Sequence, residues 1–363
     1  MFFPQVQAIH KDLQYGPAPV DTLDVIFPGS SSYIDMAAAL DKQPCGRLNI
    51  RSTGDYMARY RKGWRKPTVI SRRKMPVLLL LLLFLLCIFI TGYGLRLLRT
   101  QLLIKDILKS GINYDAFRSM QVTEEEMKQA EAGIQKVIRR YPQLKSYSYM
   151  DPIGYLTFFM VINEFHPENG VRPDAKLYVR VVTELSHISW FQELYSGYQA
   201  ALSGLRFFPV PTVTGGEADI TYEDSWFVHR SYGGNRRHEG TDLMASNNIR
   251  GYFPVISITD GSIEKLGWLE QGGYRIGIRT KSGGYFYYAH LASYAPGLSA
   301  GTPVIAGQLL GFMGDSGYGP EGTIGKFDVH LHLGIYVPTK NGDMSINPYY
   351  ILKILEKNRT QIN

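Results

Sequence analysis

Three short stretches in the last third of the chain carry the residue types that could do chemistry. "RRHEGTDLMA" holds His238 and Asp242, four residues apart. "YYAHLAS" holds His290 at the end of an aromatic run, and "VHLHLG" contains His330 and His332. Alternate residues of a β-strand share a face, so His330 and His332 point one way and Val329, Leu331 and Leu333 the other. Two imidazoles on one face of an apolar run are a costly arrangement unless something uses them. Neutral imidazole nitrogen and carboxylate oxygen are zinc ligands, and a catalytic zinc site keeps three protein ligands and one water. His238, Asp242 and one of His330 or His332 supply such a set. Zinc there would bring the pKa of water to about 7. The remaining histidines could move protons and stabilise charge on an attacked carbonyl. "HEGTD" is distinct from the helical H-E-x-x-H motif. Asp242 stands where the second histidine would, and Gly240 weakens a helix, so Glu239 is not expected to be the general base.

The composition narrows the alternatives. The chain has 363 residues, enough for two domains, and 45% are apolar. Its two cysteines, Cys45 and Cys87, leave the rest of the chain without an intrachain disulfide and are too few for a cysteine-based zinc site. Any metal site must use His, Asp or Glu. The net charge is +7, with much of the excess between Arg51 and Lys74. That cluster abuts a long apolar run, where anionic lipid explains it. No nucleic-acid motif appears, and the glycines fit turns rather than a dinucleotide or Walker loop. A nucleic-acid partner is not expected.

The elements that must position these residues follow from the pattern. Beyond Pro211, glycine-rich turns separate short β-type runs such as "GYRIGIRTKSGGYFYYAHL". This predicts a mostly antiparallel β domain over 221–352, with a tail at 353–363. "RFFPVP", Arg206 to Pro211, excludes helix and opens an extended linker over 207–220. Residues 96–206 read as a small all-α region or stalk. Thr123 and Glu126 form a capping box, and Met127, Ala130, Ile134, Val137 and Tyr141 follow at helical spacing until Pro142. A second long helical stretch runs from Pro173, with Leu177, Val181, Leu185 and Ile188 on one stripe. Phe191, Leu194, Tyr198 and Leu202 carry the stripe onward. Glu164, His166 and His187 read as ordinary residues of this region, and His229 as lying outside the metal site.

"MPVLLLLLLFLLCIFITGYGL", 75–95, has no charge and the length of a transmembrane helix. No small-residue cleavage site follows it, so an uncleaved anchor is expected. Eight basic residues lie between Arg59 and Lys74, against Arg96, Arg99 and Lys105 beyond the run. The positive-inside rule then places the N-terminus in the cytoplasm and all that follows Leu95 outside. Residues 1–74 form a basic cytoplasmic segment. Within it Met57 opens a natural lead-in to the anchor, so 1–56 are expected to be a mis-assigned extension.

At this point the residues resemble the M23 family of zinc metallopeptidases, the LytM or lysostaphin-like group. "HEGTD" matches the family's H-x-x-x-D signature and "HLH" its H-x-H signature. "AGTPVIAGQLLGFMGDSGYG" is similar to the family's connecting run, and the likeness covers roughly Tyr222 to Tyr349. The resemblance implies zinc ligands His238, Asp242 and His332. It implies that His290 and His330 act on the water and the oxyanion. It also implies an antiparallel sheet with an open groove, and peptides of bacterial cell-wall peptidoglycan as substrate. One departure is the longer insertion "PEGTIGKFDV" before H-x-H, where Asp328 could orient an imidazole or simply face solvent. Two functions follow: a membrane-anchored zinc endopeptidase of the cell wall, or a silent scaffold of the same fold. Loss of ligands would mark the scaffold; here all three ligands and both auxiliary histidines are present.

Overall fold

A computed structural model describes residues 75–231 and 234–362. The basic segment 1–74, with the start expected at Met57, lies outside the described residues.

Helix α1, Met75–Ser110, contains the expected span and continues past it. Its stretch 76–109 is long and apolar enough to cross a membrane, with mean hydropathy 2.7. Its apolar side chains are exposed from Val77 to Leu95, whereas Ile104 and Ile107 are buried. Helices α2 (Tyr114–Arg118), α3 (Glu124–Arg140), α4 (Pro152–Ile162), α5 (Ala175–Leu185) and α6 (Ser189–Leu202) follow. Glu126 closes the expected capping box on the Thr123 N–H at 2.8 Å. Helix α4 is apolar on every side and buried. The single stretch expected from Pro173 is two helices, because Ile188 is extended and interrupts them. The expected stripe is nevertheless buried at Val181, Leu185, Phe191, Leu194, Tyr198 and Leu202.

The strands are β1 (Thr212–Val213), β2 (Ile220–Thr221), β3 (His229–Arg230), β4 (Arg236–Arg237), β5 (Thr241–Ala245), β6 (Pro254–Ile256), β7 (Gly261–Leu269), β8 (Gly273–Arg279), β9 (Tyr285–Tyr294), β10 (Pro303–Val304), β11 (Leu309–Met313), β12 (His330–Thr339) and β13 (Gly342–Ile346). Helix α7 (Tyr349–Leu355) and β14 (Gln361–Ile362) end the described chain. The main sheet runs β10-β7-β8-β9-β12-β5-β2, with β11 joining β9 and β6, and β13 joining β12. All its pairings are antiparallel, as the glycine-punctuated alternation predicts. One face buries Phe286, Tyr288, Leu331, Leu333 and Ile335.

The segments expected as linker and tail belong to the packed structure. The prolines at 209 and 211 exclude helix as expected, but Phe208 before them and Val210 between them are buried. β1 pairs in parallel with β14, so the expected linker and the described part of the expected tail hold each other. The helical region also packs on the sheet domain. Arg118 of α2 donates from Nε to Ser345 O and from Nη2 to Ser345 Oγ, each at 3.0 Å. Gly284 lies so close to α6 that an added Cβ would stand 2.1 Å from Ala200 O.

Candidate metal centre

β5 and β12 bring three of the predicted residues together. Their register sets Asp242 opposite His332 and His330 opposite Met244. Cross-strand partners share a face, so both histidines of "VHLHLG" stand on the Asp242 side. His238 enters from the turn between β4 and β5. Its N–H donates to Val228 O at 2.9 Å, and its O accepts from Phe227 N–H at 2.7 Å. Three donor atoms converge: His238 Nε2 lies 3.0 Å from Asp242 Oδ1 and 3.0 Å from His332 Nδ1, which is 2.9 Å from Asp242 Oδ1.

Hydrogen bonding fixes what these atoms offer. His238 Nδ1 donates to Ser225 O at 2.9 Å, which leaves a lone pair on Nε2. Burial pushes the Asp242 carboxyl up, but the His238 and His332 imidazoles pull it further down, well below the ordinary carboxylate range. At most one proton, on His332 Nδ1, can lie among three convergent acceptors, whereas a cation satisfies all of them. A tetrahedral zinc site with bonds of about 2.0–2.1 Å has edges of about 3.3 Å. The observed triangle needs to open by only about 0.3 Å. Gly240 leaves room for the His332 ring, since a Cβ there would lie 2.5 Å from His332 Cε1 and 2.6 Å from its Nε2. The three residues therefore fit a metal ion, as a group able to hold one.

His290 and His330 stand beside the triangle. His330 Nδ1 donates to Asp328 O at 2.7 Å, and its Nε2 lies 3.8 Å from Asp242 Oδ1. The Asp328 carboxylate instead accepts from Asn248 Nδ2 at 3.0 Å, so the main chain of Asp328 orients the imidazole. His290 Nδ1 donates to Ser316 O at 2.8 Å, and its ring centre lies 4.7 Å from that of His330. Simple alternation along β9 would send His290 to the core face with Phe286 and Tyr288. The β8–β9 register shifts between Tyr274 and Ile276, opposite Leu291 and Tyr288, and His290 takes φ +60°. This bulge re-aims its side chain toward His330 and His332. Burial lowers the pKa of His290 well below its ordinary value, and the His330 and His332 charges add to the effect. Burial also lowers that of His332, against the pull of Asp242.

The model of peptidase family M23 matches residues 236–348, which include all five residues. A crystal structure from Ruminococcus gnavus, provisionally named a glycyl-glycine endopeptidase lytM, is 38% identical with a TM-score of 0.56. The match covers 68% of this chain and 92% of that one. The chain belongs to peptidase family M23. Two curated relatives are similar over part of their length. The L-Ala–D-Glu endopeptidase of Bacillus subtilis is 39% identical over 52% of this chain. The glycyl-glycine endopeptidase ALE-1 of Staphylococcus capitis is 35% identical over 33% of it. The chain spans 56% and 30% of these relatives' own lengths.

The donor triangle and its two histidines also have neighbours without an expected role. Arg230 reaches Asp242 Oδ2 at 2.8 Å. Phe327, from the unusual insertion, packs against His290 and His330 with ring centres at 4.6 and 5.0 Å. An aromatic just before H-x-H was the available signal for it. The remaining candidates lie elsewhere. His229 Nε2 meets Asn235 Oδ1 at 2.7 Å. Glu239 is hydrogen-bonded by Tyr336, and its pKa is raised by burial against the charge of Arg118. Glu164, His166 and His187 are exposed in the helical region.

Proposed function

We propose that the chain is a membrane-anchored zinc metalloendopeptidase that hydrolyses peptide bonds of cell-wall peptidoglycan. The observation that carries this reading is the convergence of His238 Nε2, Asp242 Oδ1 and His332 Nδ1, each 2.9–3.0 Å from the others, with two further imidazoles alongside. Zinc bound by these donors supplies a Lewis acid that brings the pKa of water to about 7 and polarises a carbonyl. His290 and His330 each commit Nδ1–H to a backbone carbonyl and so leave the lone pair on Nε2. Either can take a proton from the attacking water. Once protonated, it can hydrogen-bond the oxyanion without giving up the proton and then transfer that proton to the leaving amine. Phe327 shields both rings from solvent on one side.

Helix α1 suits a single-pass anchor, with the basic flank in the cytoplasm and the peptidase domain outside. The relatives' names supply two candidate bonds, L-Ala–D-Glu and glycyl-glycine. The test uses the full chain in detergent. Bound zinc is measured, purified peptidoglycan is digested with and without chelator, and the fragments are read by mass spectrometry. Zinc binding with chelator-sensitive cleavage supports the peptidase. Neither zinc nor cleavage would make the domain a scaffold.

A further inference from the structure

Asp242 is divided between two partners. Its Oδ1 belongs to the donor triangle, and its Oδ2 accepts from Arg230 Nη2 at 2.8 Å. The same Nη2 lies 3.2 Å from His238 Nδ1, but that nitrogen gives its proton to Ser225 O. The carboxylate is therefore the acceptor that holds the guanidinium. Arg230 is brought there by the β3–β4 pair, in which it faces Arg236. Val228, two residues before it, accepts from His238 N–H, so one hairpin carries both Arg230 and a donor of the triangle. Arg230 Nε is buried without a hydrogen-bond partner among the described residues. The side chain is thus placed for Asp242 rather than for its own full satisfaction.

A carboxylate with both oxygens free can turn them toward one cation. With Oδ2 tied to Arg230, Asp242 presents Oδ1 alone. The geometry points to Arg230 as a positioning residue that fixes Asp242 as a one-oxygen ligand and keeps space beside the triangle for water and the scissile carbonyl. This rests on the zinc site proposed above. Groups that orient metal ligands typically contribute 10–100-fold to metal affinity or activity.

The test compares the full chain with Arg230→Met, Arg230→Gln and Arg230→Lys. Zinc affinity is measured by chelator competition, the cobalt(II)-substituted proteins are compared by visible absorption, and the metal-free proteins by thermal melting. Arg230→Met should lose about 10–100-fold in zinc affinity, because Asp242 is no longer held in position, and show weaker cobalt bands as the site departs from tetrahedral geometry. Arg230→Gln, whose amide falls short of Oδ2, should behave alike and replaces the Met variant if that one does not fold. Arg230→Lys, which can still donate to Oδ2, should recover most of the loss. Unchanged or tighter zinc binding and an unchanged cobalt spectrum in the Met or Gln variant would overturn the inference alone. A wild-type chain that binds no zinc would overturn the metal site and this inference with it.

Discussion

Asp242 and His332 face each other across β5 and β12, their Oδ1 and Nδ1 atoms 2.9 Å apart. Both side chains leave paired strands, so the sheet itself sets this edge of the triangle. Removing the imidazole leaves two donors, too few for a catalytic zinc site. His332→Ala should bring zinc from about one per chain to near zero, read by elemental analysis, with far-ultraviolet circular dichroism unchanged. Stoichiometric zinc in the variant would exclude His332 as a ligand.

His290 and His330 should behave differently. Neither is a member of the triangle, and each presents Nε2 because its Nδ1–H is held by a backbone carbonyl. His290→Ala and His330→Ala should keep zinc and each lose about 10²–10⁴-fold in kcat. Because the two act on the same proton, the double variant should cost less than the product of the single losses. Steady-state kinetics beside zinc analysis checks both points. An unchanged rate in His290→Ala would remove it from the mechanism.

The alternation of "VHLHLG" and the four-residue step from His238 to Asp242 nominated His238, Asp242 and one of His330 or His332, because both depend on local spacing, and the choice of His332 rested on the family resemblance. His290 was legible as a residue type but not as a direction. Its orientation depends on the register of β9 against β8, a non-local property. Arg230 carried no assignment in the sequence because its partnership with Asp242 exists only once the β3–β4 hairpin closes. Pro209 and Pro211 correctly signalled extended chain. They could not reveal that β1 would pair with β14, almost 150 residues away in sequence.

Gly240 is required by the His332 ring. A Cβ there would stand 2.6 Å from His332 Nε2 and 2.6 Å from Leu333 O. The backbone carbonyl cannot move aside cheaply, so the ring must shift. Gly240→Ala should cost about 1–3 kcal/mol of stability, as overpacking does, and weaken zinc binding. Urea denaturation of the metal-free protein and chelator competition measure the two effects. Unchanged zinc affinity would show that the ring tolerates the displacement.

Arg118 joins the helical region to the approach to His238. Besides its two bonds to Ser345, its guanidinium lies 5.3 Å from the Trp226 ring centre and 4.8 Å from that of Phe227. Phe227 N–H in turn donates to His238 O. Arg118→Ala should cost about 1.5–3 kcal/mol, the range for hydrogen bonds to a charged group. It should also speed amide exchange at Phe227 and His238. Exchange that rises only in α2 would mean the contact stops at the domain surface.

Tyrosine burial sets an alkaline limit to the fold. Burial raises the pKa of Tyr178, Tyr198, Tyr287, Tyr288 and Tyr336, and that of Tyr285 to about 12. A phenol in the unfolded chain titrates near about 10. Below that pH both states hold the proton and the stabilisation is fully present. Above it the unfolded state loses protons first, so stability falls as pH rises toward the folded values. Phenolate absorbance should therefore show an early phase from exposed tyrosines and a late cooperative phase coinciding with loss of circular dichroism. Complete titration near about pH 10 with the fold intact would contradict this account of the buried rings.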